Sequence, residues 1–176
     1  MEKIIDKQFF LIVNGPSCAG KSAVADYLCE NYGSIFKANG DRIKWLISDY
    51  NRSVHKEVAN DMLDSVIKVA LYNGLSALKE GTFEPERYIK IADEFDVPLM
   101  VANISAPSEV LMERFQERIE AKQNGAKISN TDPERLKELH QMYLNTKMET
   151  SLEFDSSRQS PEEISQAIVE YIRNNT

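Results

Sequence analysis

The chain has 176 residues, 42% hydrophobic and 28% charged, which suits one globular domain and is too short for two comfortable ones. That balance excludes a disordered or fibrous class. The formal net charge of −7 opposes the clustered Lys and Arg that release counterions from a nucleic acid, so a nucleic-acid partner is disfavoured.

The first predicted element is a strand over residues 8–14, where Phe9-Phe10-Leu11-Ile12-Val13 reads as a run buried on both faces of a parallel sheet. The same run is too brief for a signal peptide or a membrane span. With only Cys18 and Cys29 and no disulfide framework, the expectation is a reducing, cytoplasmic location without a membrane partner. From Lys21 to about Tyr32 the apolar positions Val24, Ala25, Leu28 and Cys29 recur at helical spacing. Between strand and helix stands Gly15-Pro16-Ser17-Cys18-Ala19-Gly20-Lys21-Ser22, a match to G-x-x-x-x-G-K-[ST] in the context that its mechanism demands. Small residues let backbone N–H groups and the helix N-terminus wrap phosphate oxygens. Gly15, Ser17, Cys18, Ala19, Gly20, Lys21 and Ser22 are therefore candidate nucleotide-binding residues. Lys21 is expected to reach the β- and γ-phosphates and Ser22 to ligate Mg²⁺, which makes ATP and Mg²⁺ the expected cofactors. Cys18 reads as a small filler of the loop whose thiol lies near Lys21.

A second short strand over 34–38 ends at the Asn39-Gly40 turn. A short helix over 41–50 and a long one over 53–73 follow, the latter with Val54, Val58, Met62, Val66, Val69 and Ala70 expected toward the core. A third strand is predicted over Leu75–Lys79, although Ser76 and Lys79 interrupt it, then a helix from Pro85 to about Phe95. A clearer strand covers Pro98–Ile104, and the helix after it, from near Pro107 to about Gln123, carries Val110, Leu111 and Phe115 on one face. The polar stretch 124–131 reads as part of a lid before a helix capped by Thr131 or Asp132. A last strand covers Ser151–Asp155, and Ser160 with Glu163 forms a capping box for the final helix. Strands and helices alternate without repeat or linker, so residues 1–176 form one α/β domain on a parallel sheet.

The phosphate loop, the Asp41 region, the paired Arg114 and Arg118 and the closing strand together resemble the P-loop kinase superfamily. Within it the chain looks most like the branch of chloramphenicol phosphotransferase, zeta-type toxins and the kinase domain of polynucleotide kinases. The resemblance runs from Phe9 to Ile172. It implies a three-layer α/β/α P-loop NTPase fold with a parallel five-stranded sheet, a helical lid over about residues 114–135, and an acceptor bound at the carboxyl ends of the strands. It further implies that Asp41 acts as the base on the acceptor hydroxyl, the alternative being a helix cap. Arg42 and Lys44 are candidates for holding an anionic or polar acceptor, or form a solvated helix face. Glu80 stands where the family usually has an aspartate that holds the Mg²⁺ water shell, against the alternative of an exposed turn glutamate. Arg114 and Arg118, four residues apart, match lid arginines that stabilise charge on the transferring phosphoryl group; surface pairs with Glu113, Glu117 or Glu120 are the alternative. Lys122 and Lys127 add positive charge to the lid or are solubilising. Asp155-Ser156-Ser157 resembles the loop that borders the adenine. His55 and His140 lack companion ligands at metal spacing, and Trp45 either stacks on a substrate ring or belongs to the core.

The implied activity is ATP-dependent transfer of the γ-phosphoryl group to the hydroxyl of a small molecule: a nucleoside, a sugar or nucleotide sugar, or an antibiotic. Two other readings stand beside it, a nucleic-acid 5′-end kinase and a non-catalytic ATP-binding sensor. The acceptor, the choice of ATP or GTP and the oligomeric state are open at this level.

Overall fold

The computed structural model describes residues 1–81, 84–125, 132–146, 148 and 152–176. In chain order the elements are β1 (Phe10–Asn14), α1 (Lys21–Asn31), β2 (Ile35–Ala38), α2 (Gly40–Trp45), α3 (Arg52–Tyr72), β3 (Ser76–Glu80), α4 (Pro85–Glu94), β4 (Leu99–Ser105), α5 (Ser108–Gln123), α6 (Pro133–Thr146), β5 (Leu152–Asp155) and α7 (Pro161–Asn175). All strand pairs are parallel, in the order β2-β3-β1-β4-β5.

The apolar run of β1 is explained by its central place, since both faces of the strand are covered. Leu11 and Val13 point into a core shared with Val24 and Leu28 of α1, Phe115 of α5, and Ile164, Ile168 and Ile172 of α7. Phe10 and Ile12 point the other way, against Leu63, Ile67 and Leu71 of α3 and Tyr88, Ile91 and Ala92 of α4. Period-2 alternation along one strand thus feeds two separate cores, which makes three layers, helices on both sides of the sheet. The capping box forms as expected: the Ser160 hydroxyl accepts from the Glu163 N–H, and the Glu163 carboxylate accepts from the Ser160 N–H at 2.7 Å.

Two expectations fail. The helix predicted over 41–50 ends at Trp45, and Asp49 adopts a left-handed φ of 51° before α3 begins. On α3 the core face is Ala59, Leu63, Ile67, Ala70 and Leu71. Val54, Val58, Met62 and Val69 are exposed and Val66 is half-buried, so of the expected core face only Ala70 is fully covered. The helix carries two apolar arcs, and helical spacing alone does not say which one meets the sheet. Trp45 is exposed as well. Of the lid region, Lys127 and the proposed cap Thr131 lie outside the described residues. Asp132 supplies the cap, its side chain accepting from the Glu134 N–H at 3.0 Å.

Candidate active site

Because β2, β3 and β1 are neighbours, their carboxyl ends bring together residues 39–41, Glu80 and the phosphate loop. The crevice at such strand ends is where open α/β sheets bind ligands.

The loop is shaped by crowding. Gly15 has a φ of 149°, and a Cβ there would lie 2.0 Å from the Ile104 carbonyl oxygen of β4, so no larger residue fits. Gly20, with a φ of 88°, begins α1 without any side-chain cap on the first turn. The exposed N–H groups of that turn are then free to meet an anion. Lys21 folds back over the loop and its Nζ donates to the Pro16 carbonyl at 2.6 Å. Burial pulls its ammonium down to about 8, against the opposing pull of Glu80. Buried Cys18 takes a left-handed φ of 66°. Desolvation pushes its thiol up despite Arg118, Lys21 and Arg114 nearby, which favours the filler reading over a nucleophile.

Glu80 is not an ordinary exposed turn glutamate. Its Oε2 accepts from the Ser22 hydroxyl at 2.5 Å, and its Oε1 accepts from Asn39 Nδ2 at 3.1 Å and pairs with Lys37 Nζ at 3.0 Å. Lys37 is held in turn by Asp26 at 2.5 Å. A hydroxyl and a carboxylate oxygen set side by side at the edge of a phosphate loop fit a hard divalent cation such as Mg²⁺. Ser22 and Glu80 are the residues that would hold one.

Asp41 does not cap α2. Asn39 does, its Oδ1 accepting from the N–H groups of Asp41 and Arg42. The Asp41 carboxylate instead accepts from Lys44 Nζ at 2.7 Å, and its charge is felt at Lys21. Lys44 thus sits on Asp41, while Arg42 is exposed on the same short helix.

Arg114 and Arg118 line a cleft of about 250 Å³ together with Cys18, Gly20, Lys21, Ser22 and Ala23. Arg114 is tied to the loop after β5: it donates to Ser156 Oγ at 2.9 Å, to the Ser156 carbonyl at 2.8 Å and to the Cys18 carbonyl at 3.3 Å. One guanidinium therefore joins the phosphate loop to the predicted adenine border. His55 has a local task, its Nδ1 accepting from the Asn51 N–H at 3.0 Å ahead of α3.

Sequence reasoning missed four participants: Lys37, Asn39 as a tether, Ser156 as the anchor of Arg114, and Lys79. Lys79 is only 6% exposed. Its Nζ donates to the Glu80 carbonyl at 2.8 Å and the Gly81 carbonyl at 2.6 Å, and sits 5.5 Å from the centroid of the Tyr88 ring. Burial lowers its ammonium to about 8. The available signal was a charged residue interrupting an apolar strand, which marks a buried polar contact when the strand is central.

Solved structures share this fold. A candidate kinase from Chloroflexus aurantiacus j-10-fl superposes with a TM-score of 0.71 at 20% identity, over 97% of this chain and 99% of that one. The fold is that of the P-loop kinases. A sugar kinase from Janibacter sp. HTCC2649 matches with a TM-score of 0.58 at 16% identity, covering 94% of this chain and 95% of that chain. A chain of the Pnkp1/Rnl/Hen1 RNA repair complex matches with a TM-score of 0.65 at 17% identity, over 81% of this chain but 46% of its own length. No family model and no curated relative matches the sequence. The RNA repair neighbour removes the ground for setting nucleic acid aside as a partner on charge alone. No helix among the described residues is long and apolar enough to cross a membrane.

Proposed function

We propose that the chain is a phosphotransferase that uses MgATP to phosphorylate the hydroxyl of a small molecule. The observation that carries this reading is the Ser22–Glu80 contact at 2.5 Å, beside Lys21 and next to a loop that the Ile104 carbonyl restricts to glycine at position 15. The loop N–H groups and Lys21 bind the polyphosphate. Ser22 and Glu80 would hold Mg²⁺, which would supply positive charge to the phosphate oxygens. Asp41 orients the acceptor hydroxyl and takes its proton as that oxygen bonds to the γ-phosphorus and the bond from this phosphorus to the bridging oxygen breaks, with ADP as the leaving group; Lys44 pairs with the carboxylate and fixes its position. Arg118 offers a cation to the cleft side of the phosphates, and Arg114 fixes the loop between phosphate and base. The segment carrying both arginines acts as a lid that excludes water.

The fold neighbours, kinases among them, support phosphoryl transfer as the reaction class. The RNA repair neighbour favours one second reading, a polynucleotide 5′-end acceptor. The test is ADP release from MgATP against nucleosides, sugars, nucleotide sugars, chloramphenicol-like alcohols and a 5′-hydroxyl oligonucleotide, with Lys21→Ala as control. Release dependent on a small alcohol and lost in the control supports the proposal; release with the oligonucleotide alone replaces it by the second reading.

A further inference from the structure

Helix α3 has 21 residues and two apolar arcs, of which the sheet uses one. The other is left on the surface among the described residues: Val58 is 53% exposed, Met62 37%, Val69 61% and Tyr72 82%. With Ser65 these residues follow one another at intervals of four, three, four and three. That is the 3.5-residue repeat of a seam that packs against another helix, here about 21 Å long. The helix after the lid region does not supply the cover, since Leu136 of α6 belongs to the core on the opposite face of the sheet.

We propose that this seam is covered by the same seam of a second copy of the chain, in an antiparallel two-fold pair. The charges beside it choose the partner and the direction. Asp61 and Lys68 occupy the same flanking position of successive repeats, one step before Met62 and Val69. In an antiparallel pair such positions meet each other, so Asp61 faces the partner's Lys68 and Lys68 faces the partner's Asp61. A parallel pair would turn them toward Val66 and Asn73 instead, without charge complementarity. Antiparallel helix dipoles favour the same choice. Within the chain Asp61 pairs with Arg87 and Lys68 with Glu94, yet the Asp61 side chain stays 74% exposed and that of Lys68 41%, which leaves both able to bridge to a second partner. One helix pair is a small interface, so the dimer belongs in the micromolar range.

The test is sedimentation equilibrium of the full chain between about 1 and 200 μM. The wild type is expected to dimerise, and Met62→Glu and Val69→Glu each to weaken the dimer by about 100-fold or more, because each buries an unpaired carboxylate. Both sites are exposed in the monomer, so thermal melting and MgATP binding should be unchanged, which separates this result from a folding failure. Asp61→Lys is expected to weaken the dimer about tenfold, and the double variant Asp61→Lys with Lys68→Asp to recover most of that loss. A chain that stays monomeric throughout, including one whose seam takes a different protein, overturns the proposal. So does a dimer indifferent to both glutamates, or a double variant no tighter than Asp61→Lys alone.

Discussion

Lys21, proposed as a phosphate ligand, is also a desolvated cation, and the second property makes the first testable. Its ammonium lies at about 8 in the free protein because burial disfavours charge; a bound polyphosphate favours the charged form and raises it. Binding of MgATP above pH 8 should therefore take up a proton, and affinity should fall as pH rises beyond 8. Calorimetry in buffers of different ionisation enthalpy measures that uptake, and Lys21→Met should abolish it. Asp41 makes the opposite kind of prediction. Asp41→Asn keeps shape but cannot take a proton, so turnover should drop about 10²–10⁴-fold while MgATP binding stays within about threefold. An equal loss of nucleotide affinity would refute its role as base. Gly15→Ala tests the cradle: the added methyl meets a backbone oxygen that no side-chain rotation can move. A loss of about 3 kcal/mol or more in chemical denaturation is expected.

At the scale of elements, the site depends on how β2 hands over to α2. Asn39 caps α2 with its Oδ1 and steadies Glu80 with its Nδ2, so one side chain joins the helix that carries Asp41 to the Ser22–Glu80 pair proposed to hold Mg²⁺. Asn39→Ala should cost about 1 kcal/mol as a lost cap and, in addition, weaken Mg²⁺-dependent ATP binding more than Mg²⁺-independent binding; Asn39→Ser, which restores only the cap, should rescue stability but not the metal dependence. Much of this level was legible from sequence. Strand, glycine loop and helix followed from the buried run before Gly15 and the spacing after Lys21, because a central parallel strand and an anion-binding turn each demand particular residues. The face of α3 was not legible. Val54, Val58, Met62 and Val69 repeat as regularly as Ala59, Leu63 and Ile67 do, and the decision between the two arcs is made by tertiary packing against β1 and α4. Glu80 was legible as a candidate beside Ser22, but its tethers Lys37 and Asn39 were not, since they meet it only once β2 and β3 are aligned.

Across the whole molecule, the division of labour follows the two cores. The core on the α1 and α7 side carries the phosphate loop, while α3 and α4 on the other side lie behind Asp41 and Lys79. In the proposed reaction nucleotide and acceptor would thus be served by different layers that meet at the carboxyl edge of the sheet. The measurement that tests this arrangement most directly follows the fate of label from γ-phosphoryl-labelled ATP in the presence of the acceptor panel. The account predicts label on an alcohol oxygen of the acceptor, lost in Lys21→Ala and strongly reduced in Asp41→Asn. Label recovered only as inorganic phosphate, or tight ATP binding without turnover for every acceptor, would contradict it and leave a nucleotide-binding switch in its place.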